Sequence, residues 1–288
     1  MKIAVLSGKG GTGKTLVSVN LAAAAEEAVY LDCDVEEPNG HLFFKPDALS
    51  EEAVSVPVPV VDESRCNGCR TCVDFCKFNA LAFVKNKPLL FPEVCHACGG
   101  CGLLCPQKAI SERKKSIGVI QHGVSERVRV HTGMLNPGEA SGIPMIKELL
   151  RTRVSERELP VFIDCPPGSA CAVMESIRDA DYCILVAEPT VFGVHNLKMV
   201  CDLAEVFHKP YGVVLNKCLE TENPAEEFCI KRHVPILGRI PFDGELGELN
   251  SNAKISARES GRFRALFSSL LNTVLEEAKH ETAAHPQR

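Results

Sequence analysis

Eight of the chain's 15 cysteines fall into two arrays of one spacing, Cys66-x2-Cys69-x2-Cys72-x3-Cys76 and Cys95-x2-Cys98-x2-Cys101-x3-Cys105. Two residues between successive cysteines let one loop wrap three corners of a cubane of iron and sulfur, and the fourth ligand comes from the other array. On that rule Cys66, Cys69, Cys72 and Cys105 hold one 4Fe-4S cluster, and Cys76, Cys95, Cys98 and Cys101 hold a second. Zinc is the competing metal, but structural zinc sites favour paired C-x2-C units over a three-plus-one run. His96 lies inside the second array, where all ligands are already supplied by thiolates, and reads as a neighbour of the cluster.

A second chemistry opens the chain in Gly8-Lys9-Gly10-Gly11-Thr12-Gly13-Lys14-Thr15. Gly-x4-Gly-Lys-Thr spacing lets successive backbone N–H groups point into one concavity, where larger side chains would block close approach of phosphates. Lys14 is placed for the β- and γ-phosphates and the Thr15 hydroxyl for Mg2+. Asp164, at the end of the apolar run Val161-Phe162-Ile163, is the candidate carboxylate that completes the metal site.

Both chemistries need a scaffold. Apolar runs at Ile3 to Leu6, Ala28 to Leu31, Val128 to Val130, Val161 to Ile163, Tyr182 to Val186, Tyr211 to Leu215 and Ile236 to Ile240 alternate with helix-length segments. That rhythm predicts an α/β fold, a mostly parallel sheet with helices on both faces. The proline-punctuated stretch Val54 to Val60 marks entry into an insert that ends near Ser111. The expected division is a discontinuous nucleotide domain, residues 1–60 and 112–288, interrupted by a small α+β cluster domain at 61–111. Inside the insert, Cys76-Lys77-Phe78-Asn79-Ala80-Leu81 recurs 29 residues later as Cys105-Pro106-Gln107-Lys108-Ala109-Ile110. Two halves of one pseudo-symmetric module are implied. An apolar stripe at Phe263, Leu266, Phe267, Leu270, Leu271 and Val274 predicts a final helix packed on the sheet.

Lys9, early in the loop, makes it resemble the deviant phosphate loop of the MinD and Mrp class of ATPases, to which the nitrogenase iron protein is related. Leu31-Asp32-Cys33-Asp34-Val35-Glu36-Glu37-Pro38-Asn39 and Asp164-Cys165-Pro166-Pro167-Gly168 look like its two switches. Glu188-Pro189-Thr190, Asn216-Lys217 and Ile240-Pro241-Phe242-Asp243 fall where the class has corresponding segments. The cysteine arrays resemble a bacterial two-cluster ferredoxin, except that Lys77 follows Cys76 where that pattern has proline. Together these features are most similar to MinD-superfamily ATPases with an inserted ferredoxin domain. The resemblance implies ATP as nucleotide, with Asn216 and Pro241 at the adenine. It also implies a dimer in which Lys9 reaches the partner's phosphates, and Asp34 as the carboxylate that orients the attacking water. Cys171 stands near the position of a cluster ligand in the nitrogenase iron protein, but 136–142 offers no second ligand. Cys218 and Cys229 are isolated, lacking the C-x2-C pair of Mrp-type carriers.

The expected function is ATP hydrolysis in a homodimer, or a heterodimer with a related ATPase, coupled to electron transfer through the two clusters to a redox or iron-sulfur partner protein. Cluster assembly or carriage is the alternative, and a positioning ATPase with a redox-sensing insert is the second. A net charge of -5 argues against broad nucleic-acid binding. No apolar run reaches the roughly 18 residues of a membrane span. The N-terminus enters the glycine loop too soon for a signal peptide, and a reducing cytoplasm is the expected compartment.

Overall fold

The computed structural model describes residues 1–152, 159–220 and 223–284. In chain order the first half comprises β1 (Lys2–Leu6), α1 (Lys14–Ala24), β2 (Ala28–Asp32), α2 (Gly40–Phe44), β3 (Asp47–Val61), α3 (Thr71–Phe75), β4 (Leu81–Val84), β5 (Lys87–Leu90), α4 (Gly100–Leu103), β6 (Ile110–Ser125) and β7 (Val128–Leu135). The second half comprises α5 (Ile143–Leu150), β8 (Val161–Asp164), α6 (Cys171–Ile177), β9 (Tyr182–Ala187), α7 (Val191–Val206), β10 (Tyr211–Cys218), α8 (Pro224–Arg232), β11 (Ile236–Pro241), α9 (Gly244–Ser251), α10 (Ser256–Glu259) and α11 (Gly261–Ala284). All seven apolar runs expected as strands are strands.

The main sheet has nine strands in the order β11-β10-β9-β1-β8-β2-β7-β6-β3. Every neighbouring pair from β11 to β7 is parallel. Along β1, Ile3 and Val5 enter one apolar core while Ala4 and Leu6 enter the other. Burial on both faces explains why the central strands β1, β2, β8, β9 and β10 read as nearly unbroken apolar runs, whereas β7 and β11 nearer the edges carry Arg129 and Arg239 and alternate in burial. The first face is covered by α1, α10 and α11, and the second by α5, α6 and α7. In α11, Phe263, Phe267, Leu270, Leu271 and Val274 are buried, so the C-terminal stripe is spent on the sheet. Among the described residues, no helix is long and apolar enough to cross a membrane.

The far edge of the sheet departs from the pattern. β6 runs antiparallel to β7 and to β3, and the two long strands β3 and β6 pair from Asp47 opposite Val124 out to Val61 opposite Ile110. The extended Val54 to Val60 stretch is thus the outer part of β3, and its partner β6 is a strand that apolar periodicity alone does not announce. Beyond a register shift at Ile117, β6 pairs only with β3. This two-stranded ribbon leaves the sheet and carries α3, the antiparallel hairpin β4-β5 and α4 at its tip. The internal repeat persists in the backbone. Left-handed residues Gly68 (φ 73°), Arg70 (66°) and Asn79 (54°) recur 29 positions later as Ala97 (50°), Gly99 (72°) and Lys108 (48°).

Candidate functional site

The glycine loop joins the carboxyl end of β1 to α1, which begins at Lys14. Gly13 adopts φ 94°, and a Cβ there would lie 2.1 Å from Asn216 Nδ2, so this position requires glycine. Parallel register brings Asp32 of β2 beside Asp164 of β8, next to the loop. Lys14 Nζ lies 2.5 Å from Asp164 Oδ1 and 3.7 Å from Asp34 Oδ2. The Tyr30 hydroxyl donates to Asp164 Oδ2 at 2.8 Å, and the Gly40 N–H donates to Asp32 Oδ2 at 2.7 Å. Thr15 Oγ1 is 3.5 Å from Lys14 Nζ.

Lys14, Asp32, Asp164 and Tyr30 are buried, Asp34 is partly so, and their protonation is set by their surroundings. Burial pulls the Lys14 ammonium down, but Asp164, Asp34 and Asp32 together outweigh it and raise the pKa above the ordinary lysine value. Burial, opposed by Lys14, pushes Asp34 up to about 6. Burial and the neighbouring Asp164 push Asp32 up more strongly. A site of this kind holds acidic groups near neutrality and one permanent cation where phosphates would enter.

A second charge group braces the loop from the other side. Lys9 Nζ lies 2.7 Å from Glu188 Oε2, while Lys217 Nζ is 2.6 Å from Glu188 Oε1 and donates to Gly11 O at 2.8 Å. Burial opposes ionisation of Glu188, but Lys217 and Lys9 hold it below the usual carboxylate range. Asn216 Nδ2 donates to Thr12 O at 2.7 Å. Asn216 and Pro241 line one cleft with Gly11 and Gly13, and Lys14, Thr15 and Asp34 line a second cleft with Gly10 and Asn39. Gly8 packs against the backbone of Asn196 in α7. Tyr30 was not singled out by the sequence, and Glu188 and Lys217 entered only as parts of segments that the resemblance covers, without a role. Their roles arise from contacts across the sheet.

At the ribbon tip the eight array thiols separate into two groups. Cys66, Cys69, Cys72 and Cys105 line one cavity, and Cys76, Cys95, Cys98 and Cys101 line another. Pro57, Pro59 and Glu112 of the ribbon wall the second. The Ala80 N–H donates to Cys76 Sγ at 3.4 Å, and 29 residues on the Ala109 N–H donates to Cys105 Sγ at 3.3 Å. His96 stacks on Phe78 with ring centroids 3.9 Å apart. None of the 15 cysteines forms a disulfide. Among the described residues, no group of three or more His, Cys, Asp or Glu is arranged to hold a metal ion. Cys33 and Cys165 are fully buried, and burial pushes both thiols well above their ordinary pKa. Cys171 is exposed at the start of α6.

A phosphate loop between the first strand and first helix of a parallel sheet, with carboxylates delivered by adjacent strand ends, defines a nucleotide-binding α/β protein of the phosphate-loop class. The chain belongs to the CobQ/CobB/MinD/ParA nucleotide binding domain family, which matches residues 3–256. An uncharacterized protein of Methanocaldococcus jannaschii is 32% identical over 221 residues, 75% of this chain and 80% of that protein. An iron-sulfur cluster carrier protein of Methanococcus maripaludis is 25% identical over 302 residues, 97% of this chain and 86% of that protein. The septum site-determining protein MinD of Pyrococcus horikoshii, solved with Mg-ADP, shares the fold at a TM-score of 0.60 and 18% identity, covering 97% of this chain and 98% of that one.

Proposed function

We propose that the chain is a magnesium-dependent ATPase that works as a dimer and couples its nucleotide state to electron transfer through two 4Fe-4S clusters. The observation that carries the cluster half is the grouping of thiols across the two arrays. Each cavity draws three cysteines from one array and one from the other, as the ligand rule for a two-cluster module requires. Four thiols lining one cavity are the donor set a cubane cluster takes. When bound, each cluster would supply a one-electron couple. The protein's part is to hold it through the eight thiolates and to direct the Ala80 and Ala109 N–H groups at two of them. Hydrogen bonds to sulfur raise the potential by stabilising negative charge.

At the nucleotide, the phosphates would draw Lys14 from Asp164, freeing that carboxylate to join Thr15 as a magnesium ligand. Asp34, ionised above about pH 6, would orient the attacking water. Lys9 can leave Glu188 for a partner's phosphates at small cost, because Lys217 stays on the same carboxylate and no buried charge is left unpaired. The relative named as an iron-sulfur cluster carrier favours a second reading, in which the ATPase delivers clusters. An anaerobic potentiometric titration with and without a non-hydrolysable ATP analogue separates the two. Electron transfer predicts a shift of about 59 mV or more, roughly 1.4 kcal/mol of coupling. An unchanged potential, together with movement of iron to an apo-acceptor, would replace it with the carrier reading.

A further inference from the structure

Between the nucleotide site and the thiol-bearing tip runs one continuous line of contacts, and a lysine stands at its middle. Lys115 lies on β6 just outside the register shift at Ile117, where the ribbon leaves the sheet. Its ammonium has two acceptors, Glu139 Oε2 at 2.7 Å and the Pro92 carbonyl at 3.1 Å. Pro92 precedes Cys95 in the tip. Glu139 belongs to the loop 136–142 that joins β7 to α5. The Lys115 and Glu139 side chains are only 20% and 12% exposed, so water and salt compete weakly for the pair.

The loop 136–142 is tied in turn to the first switch. The Leu135 N–H donates to Val35 O at 2.9 Å, and the Asn136 N–H donates to Ile117 O at 2.8 Å. A Cβ added at Gly133 or Gly142 would come within 2.7 or 2.6 Å of the Val35 side chain, so Val35 is seated against two glycines that bracket the loop. Val35 directly follows Asp34, whose carboxylate lies 3.7 Å from Lys14 Nζ. Close-packed contacts and backbone hydrogen bonds transmit displacement because they have no slack to absorb it.

We propose that Lys115 is a positioning residue through which the loop 136–142 reports the state of the nucleotide site to the segment 90–98 of the tip. This rests on the reading that the glycine loop binds ATP and that Asp34 responds to it. The tip is also held by the β3-β6 ribbon that carries it and by Cys95 and Ala97, which pack against an apolar cluster that includes Val54, Val56 and Val58 of that ribbon, so removing Lys115 leaves it attached but uncoupled.

The experiment is hydrogen exchange on the full chain, with and without a magnesium-loaded non-hydrolysable ATP analogue whose binding is first measured by calorimetry. In the wild type, exchange should change on analogue binding both at 133–142 and at 90–98. In Lys115→Met the change at 133–142 should remain and the change at 90–98 should be lost, while Lys115→Arg keeps both. The charge swap Lys115→Glu with Glu139→Lys is the sharper variant. It restores the ion pair, but a carboxylate cannot donate to the Pro92 carbonyl, so the response at 90–98 should stay lost. A tip response that survives Lys115→Met, or is recovered by the swap, overturns the proposal while leaving ATP binding intact. Absence of analogue binding overturns the nucleotide reading and the proposal with it.

Discussion

The nucleotide site and the ribbon tip are stabilised in different ways. Around the glycine loop, Lys14, Asp32, Asp164 and Tyr30 are buried; Asp164 takes Lys14 and the Tyr30 hydroxyl, and Asp32 takes the Gly40 N–H. From residue 62 to 109, by contrast, the buried apolar side chains are Cys72, Ala80, Leu81 and Ala109, while Phe75, Phe78, Phe91 and Leu103 remain exposed. Sheet packing holds the first site's geometry before any ligand arrives. On the proposed reading, a segment with so little core would take much of its stability from the clusters its thiols hold.

Four measurements break or sharpen this contrast. Lys9→Ala is expected to lower ATP turnover by about 10^3-fold or more while keeping most of the affinity for an analogue, if Lys9 acts in a partner's site. Steady-state hydrolysis and calorimetry read both quantities, and unchanged turnover would remove Lys9 from the chemistry. Lys14→Ala strips Asp164, Asp34 and Asp32 of their shared cation, which should cost about 3–5 kcal/mol in urea unfolding and abolish nucleotide binding. Cluster absorbance in that variant should persist; its loss would show that the tip depends on the first site for its fold.

Anaerobic iron chelation is the reverse test. Residues 62–109 should lose exchange protection while the thermal transition of the sheet stays in place, and a fall of both together would erase the contrast. The smallest effect belongs to the sheet edge, where His131 Nδ1 lies 2.7 Å from His122 Nδ1. Burial, then His122 and Arg129, lower the His131 pKa to about 4 from 6.5, while Glu52 faces the outer nitrogen of His122. The unfolded chain therefore binds the extra proton between those values. Stability should be full above about pH 6.5 and fall by about 1–3 kcal/mol as pH drops toward 4. His131→Gln should flatten that part of the profile in denaturant titrations; an unchanged slope would assign it to carboxylates instead.

The central parallel strands were legible because they are buried on both faces, and the glycine loop because its spacing is local. The cross-array grouping of Cys105 with Cys66, and of Cys76 with Cys95, also followed from spacing. β6 was not legible. Its outer part, Ser111-Glu112-Arg113-Lys114-Lys115-Ser116, is largely wet on both faces and shows no apolar alternation. The alternation of Val54, Val56 and Val58, all buried, was the available signal for its partner β3.

Spacing within a single loop marked which residues can cradle phosphate, since that depends on a few adjacent backbone geometries, and the array spacing predicted the two groups of thiols that line separate cavities. Tertiary structure alone decided that Glu188 holds Lys9 and Lys217, that Tyr30 braces Asp164, and that Lys115 bridges Glu139 and Pro92. Those pairings join residues far apart in the chain. Strand register and a ribbon that bends off the sheet bring them within reach, and neither is written in any local pattern.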